Sequence, residues 1–208
     1  MYIPQQFDEP NIDVMRELIR TRPLATLITL NEAGIEANHI PLELLSAPMP
    51  YGALRGHVAR SNPLWHEHPA DTDVLLIFHG AESYITPSWY ASKTETGKVV
   101  PTWNYVSVQA KGKLRIIDDA QWIRSHLESL TAYHEADFDH PWAVSDAPHE
   151  FTTKLLEALV GIEITITDLK GKWKVSQNRS VQDRSSVAKG LINHGHHEMA
   201  ALVKLSGE

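Results

Sequence analysis

LATLITLNEAGIEANHIPLELL, running from Leu24 to Leu45, is the stretch on which the fold turns. Leu24 to Leu30 is an apolar run of strand length. Asn31-Glu32-Ala33-Gly34 then makes a tight turn, with glycine where φ must be positive. Ile35 to Leu45 reads as the returning strand. Strands joined so briefly run antiparallel, because a parallel return needs a crossover of about a dozen residues or more.

The pattern extends in both directions. Upstream, Asn11 reads as an N-cap, Asp13 lies in the first turn, and Met15, Leu18 and Ile19 share one helical face. Pro23 ends that helix. Downstream, Gly52 to Val58 reads as a strand and Arg60 to His68 as a short helix. Asp73 to Phe78 and Ser83 to Ile85 read as two strands separated by Gly80. Ser92 to Val100 is a polar, exposed loop by composition, and Thr102 to Ile117 one long strand bent at Gly112. Asp118 and Gln121 form a capping-box variant opening a helix whose Ile123, Leu127 and Leu130 share a face. After a loop over 136–147, a second helix is expected to bury Phe151, Leu155 and Leu159. Ile162, Ile164 and Ile166 alternate with polar residues as in a strand, Trp173 to Gln177 follows Gly171, and two short polar helices end the chain. Hairpins without strict strand–helix alternation predict an α+β class with an antiparallel sheet or barrel and flanking helices.

Composition narrows the function. The chain has 208 residues, a formal net charge of −7 and no cysteine. Disulfides, thiolate nucleophiles and cysteine-ligated metals are therefore excluded. No apolar run reaches the ~18 residues of a membrane helix, and MYIPQQFDEP lacks the pattern of a secretory signal. A cytoplasmic address is expected. The negative charge argues against holding DNA over a broad surface. GxGxxG, GxxxxGK[ST] and GxSxG are absent. His194-Gly195-His196-His197 and the His66-Glu67-His68 run lack ligand spacing, so no metal is expected.

Three segments are richer in polar and aromatic groups than core strands require. Gly56 to Pro63 (GHVARSNP) lies where a strand gives way to a helix, and Arg60 and Ser61 offer a guanidinium fork and a hydroxyl suited to phosphate. It reads equally well as a capped turn with a surface arginine. Tyr84 to Tyr90 (YITPSWY) offers flat aromatic faces for a planar ring, or for packing over the end of a barrel. Val100 to Tyr105 (VPTWNY) adds Asn104, a donor and acceptor fit for a heterocycle edge, or for a packed strand entry. Together they suggest a phosphorylated planar ligand.

In their order, MYIPQQF, NHIPL (38–42), GHVARSNPLW (56–65), YITPSWY, VPTWNY and KVSQNR (174–179) resemble the PaiB-type FMN-binding proteins, often named FMN-binding negative transcriptional regulators. The resemblance runs from Met1 to about Leu191 and implies an antiparallel FMN-binding split β-barrel, a single domain over 1–208 with a C-terminal helical extension. It implies FMN as cofactor and a homodimer with the flavin at the subunit interface. His57, Arg60, Ser61 and Asn62 become candidates for the phosphate. Tyr84, Ser88, Trp89, Trp103, Asn104 and Tyr105 become candidates for the ring and ribityl chain. Lys174, Gln177 and Asn178 would complete the site. Relatives often carry a histidine where this chain has Gln109, and a neutral amide cannot move protons near pH 7. Two functions follow from the resemblance. One is a regulatory or redox flavoprotein acting through another protein or, less readily at this charge, through DNA. The other is an FMN-dependent oxidoreductase acting on a small molecule.

Overall fold

A computed structural model describes residues 1–206. The elements are β1 (Asp8–Glu9), α1 (Ile12–Thr21), β2 (Leu24–Asn31), β3 (Gly34–Pro41), β4 (Glu43–Leu45), β5 (Ala53–Ala59), α2 (Leu64–Glu67) and β6 (Thr72–Ile85). Then come α3 (Lys93–Thr96), β7 (Thr102–Ile117), α4 (Ala120–Glu135), α5 (His149–Glu157), β8 (Leu159–Lys174), α6 (Val181–Asn193) and α7 (His197–Leu205). The strands form one eight-stranded sheet in the order β3-β2-β6-β7-β8-β5-β4, with β1 paired to β8. The pairings of β1 with β8, β2 with β3 and β6, and β5 with β4 and β8 are all antiparallel. The fold class is α+β, as expected.

The opening hairpin forms as read. Leu24 faces Pro41 and Asn31 faces Gly34 across an unbroken register. Gly34 sits at φ 125°, and the Asn31 side chain accepts from the backbone N–H of Ala33 and Gly34. The returning strand is two strands, however. β3 pairs with β2, whereas β4 beyond the buried Leu42 pairs with β5. A change of partner is a tertiary event, invisible to local periodicity.

Four further expectations are corrected. β6 is one strand of 14 residues running through Gly80. A Cβ there would lie 2.9 Å from Leu18 and 3.0 Å from Val106, so the glycine admits close packing and does not break the strand. β8 likewise runs through Gly171 to Lys174. The cap of α4 is Asp119, whose carboxylate accepts from the Trp122 N–H at 2.7 Å. In α5 the buried residues are Thr152 and Leu156, while Phe151 and Leu155 are exposed.

The chain divides into two compact units. The first comprises 1–18, 78–109 and 170–208, and the second 19–77 and 110–169. The first has a core of Ile85, Tyr90, Val106, Val175, Val187, Leu191, Met199 and Val203. The C-terminal helices, expected as a polar extension, thus supply much of that core. Gly190 of α6 lies under Trp89, where a Cβ would come within 2.5 Å of the indole. The second unit buries Leu27 and Leu76 from its hairpin side and Ile162 and Ile164 from β8. No helix of the described residues is long and apolar enough to cross a membrane.

Candidate functional site

The sequence candidates fall into the two units without overlap. His57, Arg60, Ser61 and Asn62 belong to the second; Tyr84, Ser88, Trp89, Trp103, Asn104, Tyr105, Lys174, Gln177 and Asn178 belong to the first.

In the second unit the GHVARSN stretch is turned largely upon its own surroundings. The expected helix over 60–68 is a single turn, Leu64–Glu67, too short to present a useful dipole. Its nearby N–H groups are engaged: Arg60 N donates to Ala158 O, Asn62 N to Ala59 O, and Leu64 N to Asn62 Oδ1. Arg60 meets Asp118 through two nitrogens, at 2.5 and 3.1 Å. Its Nε donates to Glu157 O, and the guanidinium lies 5.5 Å from the Trp65 ring centre. Each charge stabilises the other, raising the Arg60 pKa and lowering that of Asp118, chiefly through their hydrogen bond. A phosphate at Arg60 would have to displace Asp118. Asn62 donates to Asn38 at 2.8 Å, which leaves Ser61 as the exposed polar side chain of the group.

His57 turns toward His126 of α4, with Nδ1 to Nε2 at 3.2 Å. Trp122 stacks on His126 at 5.6 Å, and Arg55 caps Trp122 at 5.3 Å. Gly161 makes room, since a Cβ there would meet the indole at 2.5 Å. Burial lowers the pKa of both histidines. His126, also repelled by His57, falls to about 4. Further concavities of the unit include one of about 380 Å³ beside Thr131, Trp142 and Val144, one of about 350 Å³ beside Asn31 and Glu67, and one of about 210 Å³ beside Leu42, Leu130 and Tyr133.

The first unit presents its candidates differently. Trp103 and Tyr84 are each 48% exposed and meet edge to face at 6.0 Å. Tyr105 lies on the same side of β7 as Trp103, because strand side chains alternate. The Lys172 ammonium sits 5.2 Å from the Tyr105 ring centre and donates to Tyr2 O. Lys174 donates to Thr102 Oγ1 at 2.6 Å and to Trp103 O at 2.8 Å. Burial, aided by Lys172 and Arg179 and opposed by Tyr105, lowers its pKa. An ammonium has three donors, so this one keeps an N–H in reserve.

Beside this face lies the turn 86–98. Thr86 caps its first turn by accepting from Ser88 N, and Lys93 Nζ reaches the exposed Ser88 Oγ at 3.2 Å. The turn is strapped to α6 by the buried carboxylate of Asp183, which accepts from both Ser92 N and Ser92 Oγ at 2.9 Å. Three candidates make contacts within the unit. Trp89 packs on Gly190 and lies 5.2 Å from the His194 ring. Asn104 is buried and donates to Ser176 Oγ at 2.9 Å. Gln177 folds back onto its own loop, accepting from Val175 N and donating to Trp173 O. Ser176 holds the left-handed φ of 68°, which a non-glycine residue keeps only where its surroundings enforce it. Asn178 is exposed.

Lys93, Lys172 and His126 were not among the sequence candidates. His126 was detectable in principle, because it lies three residues past Ile123 and four past Trp122 on the inward stripe of α4. Lys93 and Lys172 sit in polar stretches that read as solvated surface.

A family model described as "Putative FMN-binding domain" matches residues 1–168. An uncharacterised protein of Emericella nidulans is 36% identical over 231 residues, covering 94% of this chain and 92% of its own. The Bacillus subtilis "Protease synthase and sporulation protein PAI 2" is 28% identical over 205 residues, covering 99% and 96%. Among solved structures, the FAD and heme binding protein of Mycobacterium smegmatis aligns with a TM-score of 0.60 at 15% identity, over 80% of this chain and 73% of its own. That likeness establishes a shared fold. The chain belongs to the PaiB-type family of FMN-binding proteins, and FMN is the cofactor that membership assigns.

Proposed function

We propose that this flavoprotein holds FMN on the exposed face of its first unit and works as a redox-sensitive regulator. One observation carries the reading: half-exposed aromatic rings and ammonium groups share one sheet face, beside a turn where a lysine meets an exposed serine hydroxyl. A planar, electron-poor ring with an anionic tail matches that donor set. Tyr84, Trp103 and Tyr105 would flank the isoalloxazine. Lys174 would offer its remaining N–H to a carbonyl at the ring edge. Ser88 and Lys93 would take the phosphate, a role the sequence had given to Arg60. When bound, the flavin supplies reversible electron transfer, and the protein's part is to orient it and tune its potential.

The regulatory half of the reading is supported by the relation to the sporulation protein PAI 2. With a net charge of −7, contact with a protein partner is the more physical route than a broad grip on DNA. The absence of cysteine fits a cytoplasmic setting. The exposed Tyr84 and Trp103 also suit burial by a second copy of the chain, so we expect a homodimer. The second reading, an FMN-dependent oxidoreductase acting on a small molecule, is favoured by the same exposure, which leaves a bound ring open to a reactant.

The test is a visible spectrum and thermal melt of the purified protein with FMN and with riboflavin. FMN should raise the melting temperature, because a ligand that binds only the native state stabilises it. A colourless protein unmoved by FMN overturns the reading. Anaerobic bleaching by NADH or NADPH would favour the oxidoreductase.

A further inference from the structure

Glu43, His126 and His57 form a line of titratable groups inside the second unit. Glu43 Oε1 accepts from Ser129 Oγ at 2.5 Å. Glu43 Oε2 and His126 Nδ1 are both buried and face each other at 3.5 Å, and neither meets a hydrogen-bond partner of good geometry among the described residues. His126 Nε2 then meets His57 Nδ1 at 3.2 Å, and His57 itself is half-buried. The outer end of the line therefore reaches toward solvent.

A carboxylate can only accept, so with Glu43 ionised the nitrogen that approaches it at 3.5 Å is the one to hold the hydrogen, which would place the His126 proton on Nδ1. Its Nε2 is then a bare lone pair, and His57 must donate to it from Nδ1. A neutral imidazole with its proton on Nδ1 leaves Nε2 bare. Burial keeps both rings neutral near pH 7. The other charges facing the group are already occupied. Arg55 of β5 pairs with Glu163 of β8 at 3.2 Å, and Arg115 of β7 pairs with the same carboxylate at 2.7 Å.

We propose that Glu43, His126 and His57 are a proton relay whose outer terminus, His57 Nε2, is an acid–base site for a ligand bearing an acidic O–H or N–H. A donor placed at His57 Nε2 gives up its proton there and becomes its conjugate base. The Nδ1 proton of His57 passes to His126 Nε2, and the Nδ1 proton of His126 passes to Glu43 Oε2. One proton enters, both rings end neutral with their tautomers exchanged, and the Glu43 carboxylate becomes a neutral acid. His126 and Glu43 are positioning residues, and His57 is the group that meets the ligand. On this assignment His57 accepts hydrogen bonds at neutral pH, which is the wrong polarity for a phosphate dianion. The relay is independent of where FMN binds.

The test is the tautomeric state of the imidazoles in the full-length, uniformly ¹⁵N-labelled protein at pH 7, read from long-range ¹H–¹⁵N couplings. His57 and His126 should both carry the proton on Nδ1, the minor form of free histidine. A His57 protonated at Nε2 overturns the proposal, and this measurement needs no variant. In Glu43→Gln, Ser129 holds the amide oxygen and the amide NH₂ turns to His126 Nδ1. Both tautomers should then reverse, and carbethoxylation of His57 by diethyl pyrocarbonate should slow several-fold. Tautomers and reactivity unchanged by Glu43→Gln would also overturn it, whereas a merely structural glutamate would move neither.

Discussion

The two units use the same kinds of side chain to opposite ends. In the second, Arg60, Asn62, His57 and His126 find partners within the unit, so a motif rich in functional residue types is mostly a device for holding strands and helix ends together. In the first, Tyr84, Trp103, Ser88 and Lys93 stay exposed, while a buried set of Asn104, Ser176 and Asp183 fixes the loops that carry them. Residue type marks where chemistry could occur. Whether its donors are already satisfied decides whether it does.

The largest effect that could break this contrast is at the strap. Asp183→Ala leaves the Ser92 donors without their carboxylate and should cost about 3 kcal/mol in urea unfolding. It should also weaken FMN, because the 86–98 turn is released. A loss below about 1 kcal/mol would deny the buried set its fixing role.

Nearly as large is the acid response of the second unit. The His126 pKa is about 4 in the folded chain against 6.5 when unfolded, so the unfolded state takes up the proton first as pH falls. Its contribution is complete above pH 6.5, declines as pH drops toward 4 and is flat below. The full span is worth roughly 3 kcal/mol. Urea titrations across pH 4 to 7 should show this slope in the wild type and a shallower one in His126→Leu.

Lys93→Ala should weaken FMN by about tenfold, as expected for one charge-assisted hydrogen bond, and leave riboflavin nearly unchanged. Arg60→Ala should leave the ratio of the two affinities as it is. The reverse pattern, read by fluorescence titration, would exchange the roles of the two units. The smallest effect sharpens the baseline. The exposed Arg124–Glu128 pair on α4, at 3.0 Å, should contribute at most about 0.5 kcal/mol, as Glu128→Ala would show in the same unfolding assay.

Much of the fold was legible because local rules and the final structure agreed. Asn31 and Gly34 specify one turn, and Ile162, Ile164 and Ile166 one inward face. What escaped was set by residues far along the chain. Gly80 looked like a break because the packing of Leu18 and Val106 over it is not a sequence signal. Phe151 and Leu155 looked buried because hydrophobicity was counted without knowing which side of α5 would be covered. The site was legible in residue type and obscure in partnership. Arg60 suggests phosphate, but its fork meets Asp118, 58 residues away, and the His57 ring meets His126, 69 residues away.

Both units are discontinuous in the gene. The first is assembled from three segments and the second from two, with the cuts falling inside α1, β6, β7 and β8. Neither can be inherited, shuffled or expressed alone as a contiguous fragment, and a truncation that removes one removes strands from the other. The face proposed for the flavin and the interior proposed for the proton relay would then descend together, so a lineage that loses one should show the mark in both.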